Sequence, residues 1–167
     1  MKKQGVVAFA FGAPETVTSN KWIHCIAARK AKKLNASVYT QRDVLVLSGT
    51  ITLGDVTCIE EESGNPPSTL RIARGAVRWA KEHGIVELWV VAALPHLSRC
   101  LRDMKMAVCE MGGGIVILTC EEIKNYPEDL WFCPFSKQKW TRTRKAWERR
   151  ERIVRFMPFW IYKLVAS

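Results

Sequence analysis

Leu88-Trp89-Val90-Val91-Ala92-Ala93 runs directly into Leu94-Pro95-His96-Leu97-Ser98-Arg99. A strand with one solvated face alternates apolar and polar residues, whereas this run is apolar at every position. It reads as a strand buried on both faces, the condition of a central strand in a parallel sheet. Residues 97–108 then read as a helix. On the N-terminal side, residues 69–83 form the clearest helical pattern: Leu70, Ala73, Val77 and Ala80 share a face, while Arg71, Arg74, Arg78 and Lys81 lie away from it. Ser68 is a natural N-cap, and Gly84 stops the helix. On the C-terminal side, Gly112-Gly113-Gly114 leads into a second apolar run, Ile115-Val116-Ile117-Leu118.

The alternation continues toward the N-terminus. Val6-Val7-Ala8-Phe9-Ala10-Phe11 reads as a buried strand stopping at Gly12, residues 22–34 as a helix, and Val44-Leu45-Val46-Leu47 as a strand ending at Ser48-Gly49-Thr50. Strands apolar throughout and separated by helices predict an α/β domain with a mainly parallel sheet. Right-handed crossovers then gather the strand-to-helix loops at the carboxyl edge, where open sheets of this kind bind ligands.

The chain has 167 residues, 48% of them hydrophobic and 25% charged, which suits one ordered domain. No apolar run approaches the roughly 20 residues of a transmembrane helix. The run after Met1-Lys2-Lys3 is too short for a signal peptide, so a cytoplasmic protein is expected. The six cysteines (Cys25, Cys58, Cys100, Cys109, Cys120 and Cys133) lie mostly in apolar segments without a C-x-x-C spacing, and are expected to be reduced, packed thiols with no metal.

The net charge of +10 is uneven. Residues 1–136 carry 16 basic against 14 acidic side chains, and residues 137–167 carry 10 against 2. Residues 1–136 are therefore read as the ligand-binding α/β domain, and 137–167 as a basic helical segment packed on it. In that segment Trp140, Trp147, Val154 and Ile161 recur every seven residues, and Pro158 should break the helix.

The carboxyl-edge loops bring together Phe11-Gly12-Ala13, Leu47-Ser48-Gly49-Thr50, Thr119-Cys120 and the segment 93–99. Glu62-Ser63-Gly64-Asn65, just before the helix near Thr69, adds a second helix N-terminus, and the segment 93–99 holds His96 and Arg99. The last two lie three residues apart at a helix start and can face one cleft. Exposed N–H groups there favour an anion. In an enzyme His96 would be the general acid or base, since its unperturbed pKa is near neutrality, and Arg99 would clamp a phosphate or carboxylate. Glu62 would orient His96 or bind a ribose hydroxyl. Plainer readings stand beside these: Arg99 as a solvated cation, Glu62 as part of the acidic run Glu60-Glu61-Glu62, Asn65 as a turn residue. His24 packs on its helix and His83 ends one. Dinucleotide, Walker and nucleophile-elbow motifs are absent, and whether any reaction follows binding is left open.

The order Ser48-Gly49, Glu62-Ser63-x-Asn65 and His96-x-x-Arg99, each beside a strand or helix start, resembles the YdcF/SanA/ElyC-like family over roughly residues 5–120. The resemblance implies a Rossmann-like three-layer α/β/α sandwich. It also implies a nucleotide-like or other anionic small-molecule ligand, with S-adenosylmethionine among the candidates. Catalytic roles would fall to His96 and Glu62, and ligand binding to Gly12, Ser48, Gly49, Ser63, Asn65 and Arg99. The rival reading is a binding module that uses the basic segment between Lys137 and Lys163 on nucleic acid or an anionic membrane surface.

Overall fold

A computed structural model describes residues 2–45, 54–59 and 68–165. The elements run β1 (Gln4–Ala8), α1 (Thr18–Leu34), β2 (Ser37–Thr40), β3 (Val56–Cys58), α2 (Thr69–Glu82), β4 (Glu87–Val91), α3 (Leu94–Glu110), β5 (Val116–Thr119), α4 (Arg144–Phe156) and α5 (Phe159–Val165). Short 3-10 turns at Arg42–Val44, Glu121–Asn125, Glu128–Trp131 and Lys139–Thr141 fill the connections.

The five strands form one parallel sheet in the order β3-β2-β1-β4-β5. Val6 of β1 lies between Val38 of β2 and Trp89 of β4, so the sheet's centre is apolar on both sides. Helices cover both faces. Trp89 points toward α1, where the Lys30 ammonium lies 3.7 Å from its ring. Leu88 meets the opposite layer, beside Trp79 of α2. A Cβ on Gly75 of α2 would collide with the Tyr39 hydroxyl, so glycine there allows α2 to lie close against β2. The architecture is the Rossmann-like three-layer α/β sandwich.

Two strands, β2 and β3, lie where the sequence reading places none. The second strand is Ser37–Thr40; Val44 instead closes a 3-10 turn and Leu45 follows it, while Val46 and Leu47 lie outside the described residues. Ser37 and Thr40 give β2 a polar outline, although Val38 and Tyr39 are buried. Asn35, left-handed at φ 49°, turns the chain from α1 into β2 and donates its N–H to the last carbonyls of the helix. Val44 is fully buried for another reason: it packs beside α1, where its carbonyl lies 3.0 Å from His24 Nδ1.

Ser68 caps α2, its hydroxyl accepting from the Arg71 N–H at 3.1 Å. Helix α3 starts earlier than expected, at Leu94, with Pro95 in its first turn where no N–H partner is needed. His96 and Arg99 therefore sit inside the helix. The chain breaks at Met157 and Pro158 between α4 and α5. No disulfide joins the six cysteines, of which Cys100 and Cys120 are buried and Cys109 is exposed. No described helix is long and apolar enough to cross a membrane.

Candidate functional site

β1 and β4 are adjacent and parallel, yet the chain leaves them in opposite directions, toward β2 and toward β5. Their carboxyl ends form the topological switch point, where the helical layers diverge and a crevice opens. Two segments meet there: the loop after β1 and the first turn of α3.

The loop after β1 is fastened on every side. The Asn20 amide accepts from the Phe11 N–H at 2.8 Å and donates to the carbonyls of Gly12 and Pro14. Gln41 Oε1 accepts from the Ala10 N–H at 2.8 Å. Gly12 has φ +94°, and a Cβ there would lie 2.9 Å from Ser136 Oγ. Ser136 is fully buried; its hydroxyl accepts from the Ala13 N–H at 3.2 Å and bonds the Thr141 hydroxyl at 2.7 Å. Gly12 thus lets residues 136–141 close over the loop.

His96 and Arg99 do face one place, and both are buried. The Arg99 Nη2 lies 3.3 Å from His96 Nδ1. Guanidinium can only donate, so Nδ1 accepts and the ring proton belongs on Nε2, 3.5 Å from the Thr69 hydroxyl. Burial, reinforced by the Arg99 and Arg150 cations, holds the His96 pKa well below that of free imidazole. The ring is neutral at neutral pH. It suits the role of a positioned hydrogen-bonding group more than that of a proton donor.

No family model matches the chain, and neither curated proteins nor solved structures match it.

The segment covering this point is α4. Trp147 is buried with its ring edge-on to Phe11 at 4.6 Å and to His96 at 5.2 Å, and its indole N–H donates to the Pro95 carbonyl at 3.0 Å. One turn later, Glu151 Oε1 lies 2.7 Å from Arg99 Nη1, off the N–H direction and without a well-directed hydrogen bond. Burial raises the Glu151 pKa, with Arg99 and Arg150 opposing the rise. Arg99 is 8% exposed, and its Nε is without a partner among the described residues. Its guanidinium carbon stands 5.0 Å from the centre of the Trp147 ring.

Beside this cluster a groove of about 780 Å³ runs between α3 and α4, walled by Pro95, Ser98, Arg99, Arg102, Trp147 and Arg152 among others. Behind it Asp103, fully buried, accepts from Arg102 Nε at 3.0 Å and from the Tyr162 hydroxyl. This pair fastens α5 to α3, and burial pushes both the Asp103 and Tyr162 pKa values up.

Of the sequence-derived site residues, the structure brings His96 and Arg99 into direct contact and places Gly12 in the adjoining loop, turned against Ser136. Ser48, Gly49, Glu62, Ser63 and Asn65 lie outside the described residues. Sequence reasoning missed Trp147 and Glu151 as partners of Arg99. The four-residue step from Trp147 to Glu151, one turn on the same face, was the available signal. Cys120 supplies no nucleophile: burial, followed by its bond to Glu122, pushes its thiol up to about 12. No group of residues suited to hold a metal occurs among the described residues.

Proposed function

We propose that this chain is a small-molecule-binding protein, YdcF-like in character, that takes a nucleotide-like or other anionic ligand at the carboxyl edge of its sheet. The carrying observation is Arg99. Its guanidinium is buried at the switch point, borders a groove, and has an Nε without a partner among the described residues, while Glu151 Oε1 lies 2.7 Å from its Nη1. A buried cation with unused donor capacity is costly unless a function retains it. A phosphate or carboxylate entering the groove would complete Arg99 in the planar, forked geometry that guanidinium prefers. Arg102 adds a second cation, and Trp147 offers an aromatic edge to a base. S-adenosylmethionine falls within the reading through its carboxylate, but its sulfonium cation would meet Arg99 and Arg102. A phosphate-bearing nucleotide suits these residues better.

A thermal-shift screen of the whole chain against nucleotides, phosphorylated metabolites and S-adenosylmethionine tests the reading. A ligand at about a hundred times its Kd stabilises by about 2.7 kcal/mol and raises Tm. Arg99→Met should abolish that rise. An unchanged shift in the Arg99→Met protein would sink the assignment of the site, and an absence of shift with every anion would sink the ligand class.

A further inference from the structure

The outward face of the C-terminal helices carries a different feature. With 100° per residue, Trp147, Glu151 and Val154 point inward along α4 and Lys145, Arg149 and Ile153 point away from them, while Arg152 and Phe156 stand at the edge where this outward face meets the groove. Ile153 is 62% exposed, Phe156 80%, Trp160 66% and Leu164 73%, so both α4 and α5 leave large apolar side chains in solvent. Scattered exposed apolar residues need no explanation, but a group of this size among cations marks an interaction surface. Lys145, Arg149 and Arg152 are exposed and make no ion pair among the described residues. Meanwhile the inner side of the same segment is held to the body: Tyr162 bonds Asp103, and Lys163 lies 2.6 Å from Glu110. The face is therefore presented on an anchored support.

We propose that this face docks the protein on an anionic lipid surface, with Ile153, Phe156, Trp160 and Leu164 entering the headgroup boundary and Lys145, Arg149 and Arg152 among the lipid phosphates. Aromatic and aliphatic side chains interleaved with cations match that boundary, where one end of the contact is apolar and the other negatively charged. A second copy fits poorly, because a two-fold contact through this face would set its own cations against each other. The bilayer is met from outside, since neither α4 nor α5 is long and apolar enough to span it.

The test is cosedimentation of the full chain with mixed phosphatidylglycerol–phosphatidylcholine vesicles and with phosphatidylcholine vesicles alone. Binding is expected to the mixed vesicles, weakening as salt rises. Lys145→Glu with Arg149→Glu should lower the partition by roughly tenfold or more, from about 1 kcal/mol per charge near the surface. Ile153→Ser, Trp160→Ser and Leu164→Ser together should abolish it while the circular-dichroism spectrum and Tm stay unchanged. Should the triple variant not fold, quenching of wild-type tryptophan emission by bromine-labelled lipid reads the same insertion. Failure to bind mixed vesicles, or equal binding by both sets of variants, overturns the proposal. So does a dimer in sedimentation that the serine variants dissolve, or binding of an RNA oligomer without binding of vesicles.

Discussion

Arg99 and His96 divide between them one consequence of burial. The guanidinium remains a cation beside Glu151, whereas burial makes the imidazole give its charge up. The folded pKa of His96 lies below the unfolded value, so the unfolded chain binds more protons between the two. His96 therefore contributes stability that is fully present above about pH 6.5 and is lost as pH falls from there toward the folded pKa. Urea denaturation at a series of pH values should show stability falling as pH drops below about 6.5, and His96→Gln should flatten that slope. Glu110, held down to about 2 by Arg74 and Lys163, adds its loss only below the ordinary carboxylate range, so the two are separable. Gly12 is legible in a different way. Its place after an apolar run shows that the chain turns there, but only Ser136, well over a hundred positions away, explains why a side chain is excluded. Gly12→Ala should cost about 1–3 kcal/mol, read as a lowered denaturation midpoint, from the positive φ together with the collision.

Helices were readable where their periodicity was long. Residues 69–83 appear as α2 within a residue because four apolar positions repeat on one face and a capping serine precedes them. The strands were legible where their residues are apolar, whatever their burial: β4 is mostly buried and β5 is an edge strand with Val116 51% exposed, while the more buried β2 hides behind Ser37 and Thr40 and β3 is only three residues long. Val44 carries the opposite lesson, since it is apolar without being strand. The tail's seven-residue repeat shows Trp147 as a packing residue, yet nothing local says that it packs on Phe11 and His96. That contact depends on where the sheet ends. Trp147→Ala removes a buried aromatic and leaves the Pro95 carbonyl without its donor; equilibrium denaturation should show a loss of about 3–5 kcal/mol. Glu151→Gln tests the neighbouring contact. It keeps the shape and releases Arg99 from a counter-charge, so the affinity for an anionic ligand should rise severalfold by calorimetry. Unchanged affinity would mean that Glu151 is not in the ligand's way.

Taken whole, the molecule separates two kinds of charge. The sheet and its helices are nearly balanced, and the surplus lies in the last thirty-one residues, where Arg144 pairs with Glu128 and Asp129, Arg150 with Glu151 and Lys163 with Glu110. The alternation of strands and helices in the sequence predicts the Rossmann-like class and a cluster of loops at the carboxyl edge, and the structure sets His96 and Arg99 beside the carboxyl ends of β1 and β4. The cover does not follow from them, because it depends on contacts between residues far apart along the chain. Glu151 resting on Arg99 makes the chain its own competitor. An incoming anion would find its cation free only in the fraction of molecules where that carboxylate has stepped aside, and its apparent affinity would be reduced by that same fraction. Stopped-flow mixing would then show an observed rate that climbs with ligand concentration and levels off at the rate at which Glu151 departs.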